Sequence, residues 1–177
     1  NNVISRLKKK VFRKVLIPKF DKSVDDRLIK SKWITIKQKP HIIIFEGWCV
    51  GARHQKLNDL IKPLNYIEKK YDFDFKWRKK SNNYLKNNYR RLFKKIDKLV
   101  YLKAPSFDHI FKWRLHQEQK LKLTSKNKGT MSKSKIKEFV MFYERITRQM
   151  MKDYSKISDL TVFLDGSHRS KKIKFFN

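Results

Sequence analysis

Ile42-Ile43-Ile44-Phe45 runs directly into Glu46 and then Gly47, so a carboxylate closes an apolar run just before a residue suited to a sharp exit turn. If that run is a buried parallel strand, Glu46 stands at its C-terminal tip, the end at which ligands bind in such sheets. A carboxylate there can orient the hydration shell of a magnesium ion bound to nucleotide phosphates. The plainer reading is a strand-end carboxylate paired with a nearby lysine. Upstream, Asp21, Asp26 and Arg27 gather two carboxylates and a planar guanidinium that could fork onto a carboxylate or phosphate. As surface salt bridges in a loop they would each contribute little. Arg114 is either a functional cation or one half of an ion pair with Glu118 one helical turn on. Lys103 and Asp165 each follow an apolar run, and Arg78 follows Trp77 in a basic stretch.

Those side chains need elements to hold them. Three short, continuously apolar runs read as buried parallel strands: His41 to Phe45, Leu99 to Leu102 and Leu160 to Leu164. Leu85, Tyr89, Leu92 and Ile96 recur at helical spacing and predict an apolar stripe on a basic helix. Pro105-Ser106 offers a helix start, with helix expected from Phe107 to Leu123 and Arg114, Gln117 and Glu118 sharing one face. A polar loop from Thr124 to Thr130 contains Gly129, and Ser132 has the character of an N-cap. The helix it opens should bury Ile136, Phe139, Tyr143, Thr147, Met150 and Tyr154. Strands alternating with helices predict an α/β fold, a parallel sheet covered on both faces. The length suits a single domain over residues 1–177, with 1–17 as a basic lead segment.

With 46 Lys and Arg against 16 Asp and Glu, the formal net charge is +30, which by itself is the footprint of a nucleic-acid or anionic-membrane binder. Only 11 of the 46 are arginine, however, and the 35 lysines are spread from Lys8 to Lys174 rather than gathered on one element. Abundant Lys, Asn, Ile, Phe and Tyr together fit compositional drift toward AT-rich codons. Proteins that read bases or phosphates favour the bidentate fork of arginine. Cys49 is the only cysteine, which excludes an intrachain disulfide or a Cys-rich zinc site and suggests a reducing, cytoplasmic setting. No apolar run approaches the ~20 residues that span a bilayer. The five histidines, His41, His54, His109, His116 and His168, show no metal-ligand spacing with carboxylate or thiolate partners. Trp48, Trp77 and Trp113 read as core or cleft-wall aromatics rather than base-stacking platforms.

Phe45-Glu46-Gly47-Trp48 resembles the signature of the D-glycerate 3-kinase group, a branch of P-loop kinases related to uridine kinase and phosphoribulokinase. Further blocks agree in order: Pro18-Lys19-Phe20-Asp21-Lys22 with Asp25-Asp26-Arg27 and Trp33, then Leu57-Asn58, Trp77-Arg78 and Tyr84-Leu85. Leu102-Lys103-Ala104-Pro105-Ser106, Trp113-Arg114-Leu115-His116-Gln117-Glu118, Met131-Ser132 and Leu164-Asp165 follow. The resemblance runs from about Pro18 to near the end of the chain.

It implies a three-layer P-loop NTPase fold and an ATP-dependent kinase, with Mg2+, that phosphorylates a hydroxyl of a small metabolite such as D-glycerate. By the same resemblance Glu46 and Arg114 are the catalytic candidates, Glu46 also holding the metal through water. Asp21, Asp26, Arg27 and Arg78 fall on the acceptor side, and Asp165 and Lys103 on the nucleotide side. Asp165-Gly166-Ser167-His168 occupies a place where this superfamily often touches adenine; a plain turn explains it equally well. One motif is absent. G-x-x-x-x-G-K-[ST], whose backbone amides cradle phosphates, cannot be built from Gly47, Gly51, Gly129 and Gly166. By the family's order it would precede residue 1 together with the first strand, and the chain starts with Asn1 rather than Met. The expectation is a truncated kinase, inactive alone. Rival readings are a basic nucleic-acid-binding module and a kinase-derived ATP-binding protein without phosphotransfer.

Overall fold

The computed structural model describes residues 2–21, 26–124 and 130–176. Lys22 and Asp25 of the upstream block and most of the expected loop around Gly129 lie outside them. Backbone contacts divide the chain into two compact units, residues 1–50 and 51–177.

The first unit is built from short pieces. Helix α1 (Asn2–Leu7) packs on β1 (Val15–Ile17), which pairs antiparallel with β4 (Ile34–Ile36), Val15 facing Ile36 and Ile17 facing Ile34. Leu7 and Val15 are buried. Arg6 donates to the Lys14 carbonyl across 3.2 Å, closing the link between helix and strand. β2 (Phe20–Asp21) and β3 (Asp26–Arg27) form a second antiparallel pair. Trp33 Nε1 donates to the Leu28 carbonyl at 2.6 Å. The buried strand expected at 41–45 is not formed: Ile42 and Ile44 are 80% and 85% exposed, and no described strand pairs with the segment. Apolar side chains make a strand only where a neighbour accepts its amides and a layer covers its face. Among the described residues this run has neither.

In the second unit, short helices α2 (Leu57–Ile61), α3 (Tyr66–Tyr71) and α4 (Lys76–Tyr84) precede a π-helical segment, Leu85–Tyr89, and α5 (Arg90–Phe93). The expected stripe is broken there. Leu85 is buried but Tyr89 is 48% exposed, because an i→i+5 turn takes residue i+4 off the face it would share in an α-helix. β5 (Val100–Lys103) and β6 (Leu160–Leu164) are parallel and in register, Val100 beside Leu160 and Lys103 beside Phe163. β7 (Ser170–Phe175) returns antiparallel on the outer side of β6, a strand its lysine-rich sequence hides.

Helix α6 (Phe107–Thr124) follows β5 and packs on α7 (Lys133–Asp153). Ser132 caps α7 as expected, its Oγ accepting the Lys135 amide at 3.3 Å. The buried line of α7 runs through Ile136, Val140, Thr147 and Met150 to Tyr154, while Tyr143 of the expected stripe is 36% exposed. Tyr154 reaches the sheet, packing edge-on to Tyr101 at 5.8 Å and donating to the Gly51 carbonyl at 2.6 Å. The other sheet face is open: Val100, Leu102, Ile173 and Phe175, aligned by register, are all at least half exposed. A sheet covered on both faces is therefore not met among the described residues, and an antiparallel strand joins the parallel pair.

A buried ionic network ties α3, α4 and α7. Arg145 grips Glu68 with two hydrogen bonds of 2.7 and 2.6 Å and also donates to the Asp59 and Lys62 carbonyls. Arg78 Nε lies 2.9 Å from Asp72 and its NH1 3.3 Å from Glu68. Burial pushes the Glu68 carboxyl up, but Arg145, the Leu64 amide and Arg78 outweigh it and hold it below the usual range.

Candidate functional site

The tips of the two parallel strands carry a polar and aromatic cluster. β5 ends at Lys103, whose ammonium lies 3.4 Å from Ser155 Oγ and 5.6 Å from the Phe163 ring centroid. Ala104 is buried, and the chain turns through Pro105 and Ser106 into α6. Ser106 Oγ shares a hydrogen bond of 2.8 Å with His109 Nδ1 across the first turn of α6.

β6 ends at Leu164 and passes into a tight turn made by Asp165. Its amide donates to the Arg169 carbonyl at 2.9 Å, and its Oδ1 accepts the Ser167 and Arg169 amides at 2.8 and 2.9 Å. Those two amides hold the Asp165 carboxyl below the usual range, with the charges of Arg169 and His168 adding to them. His168 takes φ +65°, the left-handed region, unusual for a residue with a Cβ and a feature that recurs at functional turns.

Trp113 joins α6 to this turn. Its Nε1 donates to the Gly166 carbonyl at 2.8 Å, and its ring lies 4.0 Å from that of His168 at 31°. His109 meets Trp113 edge-on at 6.2 Å. A Cβ on Gly166 would come within 3.3 Å of His109 Nε2, so glycine lets the turn approach the helix. The arrangement is a pair of strand tips bridged by an aromatic wall, where an open α/β sheet binds ligands. Sequence reasoning left Trp113 as a core or cleft-wall aromatic and named His168 only within the Asp165–His168 turn, and it gave His109 no part. Ser106, His109 and Trp113 fall at i, i+3 and i+7, one face of a helix, and that spacing was the available signal.

Other candidates sit elsewhere. Arg114 pairs with Glu118 at 2.6 Å, and its guanidinium lies 5.5 Å from the Phe139 ring centroid. Glu118 is fully buried and accepts the Met131 amide at 2.5 Å. Burial raises its carboxyl, and Met131, Arg114 and Lys122 more than reverse that, leaving it below the usual range. Arg78 lies in the Glu68–Asp72 network with only 4% of its side chain accessible. In the first unit, Asp21 and Asp26 face each other across β2 and β3; Asp26 Oδ1 accepts the Arg27 amide at 2.6 Å, and the Arg27 side chain is exposed. Glu46 is exposed beside a turn closed by the Val50 amide on the Gly47 carbonyl. Among the described residues no three His, Cys, Asp or Glu side chains converge as metal ligands, and no helix is long and apolar enough to cross a membrane.

No family model matches the chain. Over 160 residues, 81% of the chain, it is 33% identical to the uncharacterized kinase mug58 of Schizosaccharomyces pombe, of which the match spans 52%. Among solved structures it superposes on a D-glycerate 3-kinase from Cryptococcus neoformans with TM-score 0.77 and 19% identity, covering 99% of this chain and 64% of that one. It superposes on the YGR205w protein with TM-score 0.68 and 22% identity, covering 99% and 63%. The chain thus spans about half to two-thirds of the length of these proteins. It has the mixed α/β fold of these two structures, and a protein named as a kinase is among its sequence relatives.

Proposed function

We propose that this chain is the larger part of an ATP-dependent kinase that transfers the γ-phosphate to a hydroxyl of a small metabolite, D-glycerate being the acceptor favoured by kinship. The observation that supports it most is the superposition of 99% of the chain on a D-glycerate 3-kinase, joined to 33% identity with a protein named as a kinase. Glu46, an accessible carboxylate, suits a magnesium hydration shell. Arg114, poised by the buried Glu118, would neutralise charge on the transferring phosphoryl group. Asp21, Asp26 and Arg27 would meet the acceptor. Asp165 and Lys103, at the strand tips with the Trp113–His168 wall, would flank the nucleotide. Arg78 we assign to holding α3 on α4, since its guanidinium is already engaged by Glu68 and Asp72. Catalysis in this scheme is positioning and charge neutralisation, with no covalent intermediate.

The phosphate-cradling motif is not among these 177 residues, and we propose that it lies in a segment of the protein outside them. The 177 residues alone are expected to be inactive, and the cell compartment we propose is the cytoplasm. The first test is to read the coding sequence upstream of the Asn1 codon. An in-frame strand followed by G-x-x-x-x-G-K-[ST] is the expected result; an authentic start without it would overturn the kinase reading. The charge of +30 favours a second reading, a nucleic-acid binder. That reading predicts tight association with nucleic acid and a steep fall of affinity with salt.

A further inference from the structure

We propose that the second unit carries a separate binding site for a small anion with an apolar body, at the opposite end of the sheet from Lys103 and Asp165. A cavity of about 540 Å³ opens there, reaching Leu99, just before β5, and Asp159, just before β6. Its volume is in the range of small-molecule pockets. Apolar side chains of Leu85, Phe93, Ile96 and Ile157 form part of its wall. Arg53, Arg90 and Lys94 stand on it, with His54, and none of the four side chains has a hydrogen-bond or ion-pair partner among the described residues. The one carboxylate in the lining, Asp159, is engaged elsewhere, accepting from Lys98 Nζ at 2.9 Å and from the Leu99 amide at 2.8 Å. The lining thus holds three Lys and Arg residues against one carboxylate, which is already engaged by Lys98.

Lysine is so common in this chain that Lys94 alone means little. Arginine is not, with 11 residues, and two of them meet at this cavity. The π-helical segment explains how one arrives. In an α-helix Arg90 would lie about 140° around the axis from Leu85, at 3.6 residues per turn. The i→i+5 turn from Leu85 to Tyr89 brings residue i+5 back to the same side, so buried Leu85 and exposed Arg90 both line the cavity. Gly51, also in the lining, takes φ +84°, and its carbonyl accepts from the Tyr154 hydroxyl, which ties down the loop carrying Arg53 and His54. An apolar wall that carries two arginines suits a phosphate or carboxylate attached to a hydrophobic body.

The test uses the 177-residue chain with phenyl phosphate, inorganic phosphate and phenol as probes, followed by calorimetry and by amide chemical shifts. Phenyl phosphate should bind most tightly of the three and shift the amides of Ala52, Leu85 and Leu99. Arg53→Gln and Arg90→Gln should each weaken it about tenfold, the loss of one charge-assisted contact. Both residues are exposed, so the variants should keep the native α7 shifts. A control, Lys171→Gln with Lys172→Gln on exposed β7, should leave affinity unchanged. Binding that the control weakens as much as the arginine variants, shifts scattered over the surface, or no binding of phenyl phosphate would overturn the site.

Discussion

Ile42–Phe45, which runs into Glu46, and Val100–Lys103, which ends on Lys103, are each four residues long and each lead to a candidate site residue, yet only the second is a strand. β5 has β6 beside it in register and Tyr154 packed over its Tyr101. The run at 42–45 has no described partner and exposes two isoleucines almost completely. An apolar run states that a segment would gain from burial; the neighbours decide whether it is buried. To read a strand from sequence is therefore to assume a partner, and the two runs differ in whether one is present among the described residues.

Breaking the packed side of this comparison should cost most at Arg78. Replacing Arg78 by Ala leaves Glu68 and Asp72 buried with one cation fewer, and should lower the unfolding free energy by about 3–5 kcal/mol. A shift of the urea midpoint measures it. Ile136→Ala, at a fully buried site on α7, should cost about 2–5 kcal/mol. Ile44→Ala removes the same atoms from an 85% exposed side chain and should change stability by less than about 0.5 kcal/mol. Equal losses at the two isoleucines would show that 42–45 is buried in solution. Ser132→Ala, which removes the cap of α7, should cost about 1 kcal/mol by the same urea measurement.

Titration separates the buried groups more finely. Glu68 and Glu118 have carboxyls held below their ordinary 4.5, so their contribution is present above that pH and is lost as pH falls below it through the lowered native values. Acid unfolding monitored by circular dichroism should be flatter in Glu118→Gln than in the parent. At the alkaline end, burial and then Tyr154 push the Tyr101 hydroxyl up to about 12. Its contribution is complete below 10 and lost as pH rises from there toward 12, and tyrosinate absorbance should show Tyr101 ionising after the exposed tyrosines.

β5, β6, α6 and the cap of α7 were legible because their signals are local: apolar runs between turn residues, a Pro-Ser helix start, and a serine three residues before the amide it accepts. The π turn at Leu85–Tyr89 was not, since its spacing copies an α-helical stripe and only the backbone reveals the extra residue per turn. β7 hid behind Lys171, Lys172 and Lys174, which suit an exposed strand as well as a loop. At the candidate site, Asp165 was found from its place after a strand. The His168–Trp113 stack was not, because it joins residues far apart in sequence. Arg78 was assigned to the acceptor side by the family resemblance, while its partners Glu68 and Asp72 are visible only in the fold.

The most direct test of the kinase proposal is to extend the chain upstream through its own reading frame, purify it, and incubate it with ATP, Mg2+ and D-glycerate alongside other small hydroxy acids. The proposal predicts ADP and a phosphorylated acid in equal amounts, loss of turnover in Glu46→Gln, and no turnover by the 177-residue chain alone. An extended protein that folds but forms no phosphorylated acid from any acceptor would contradict it.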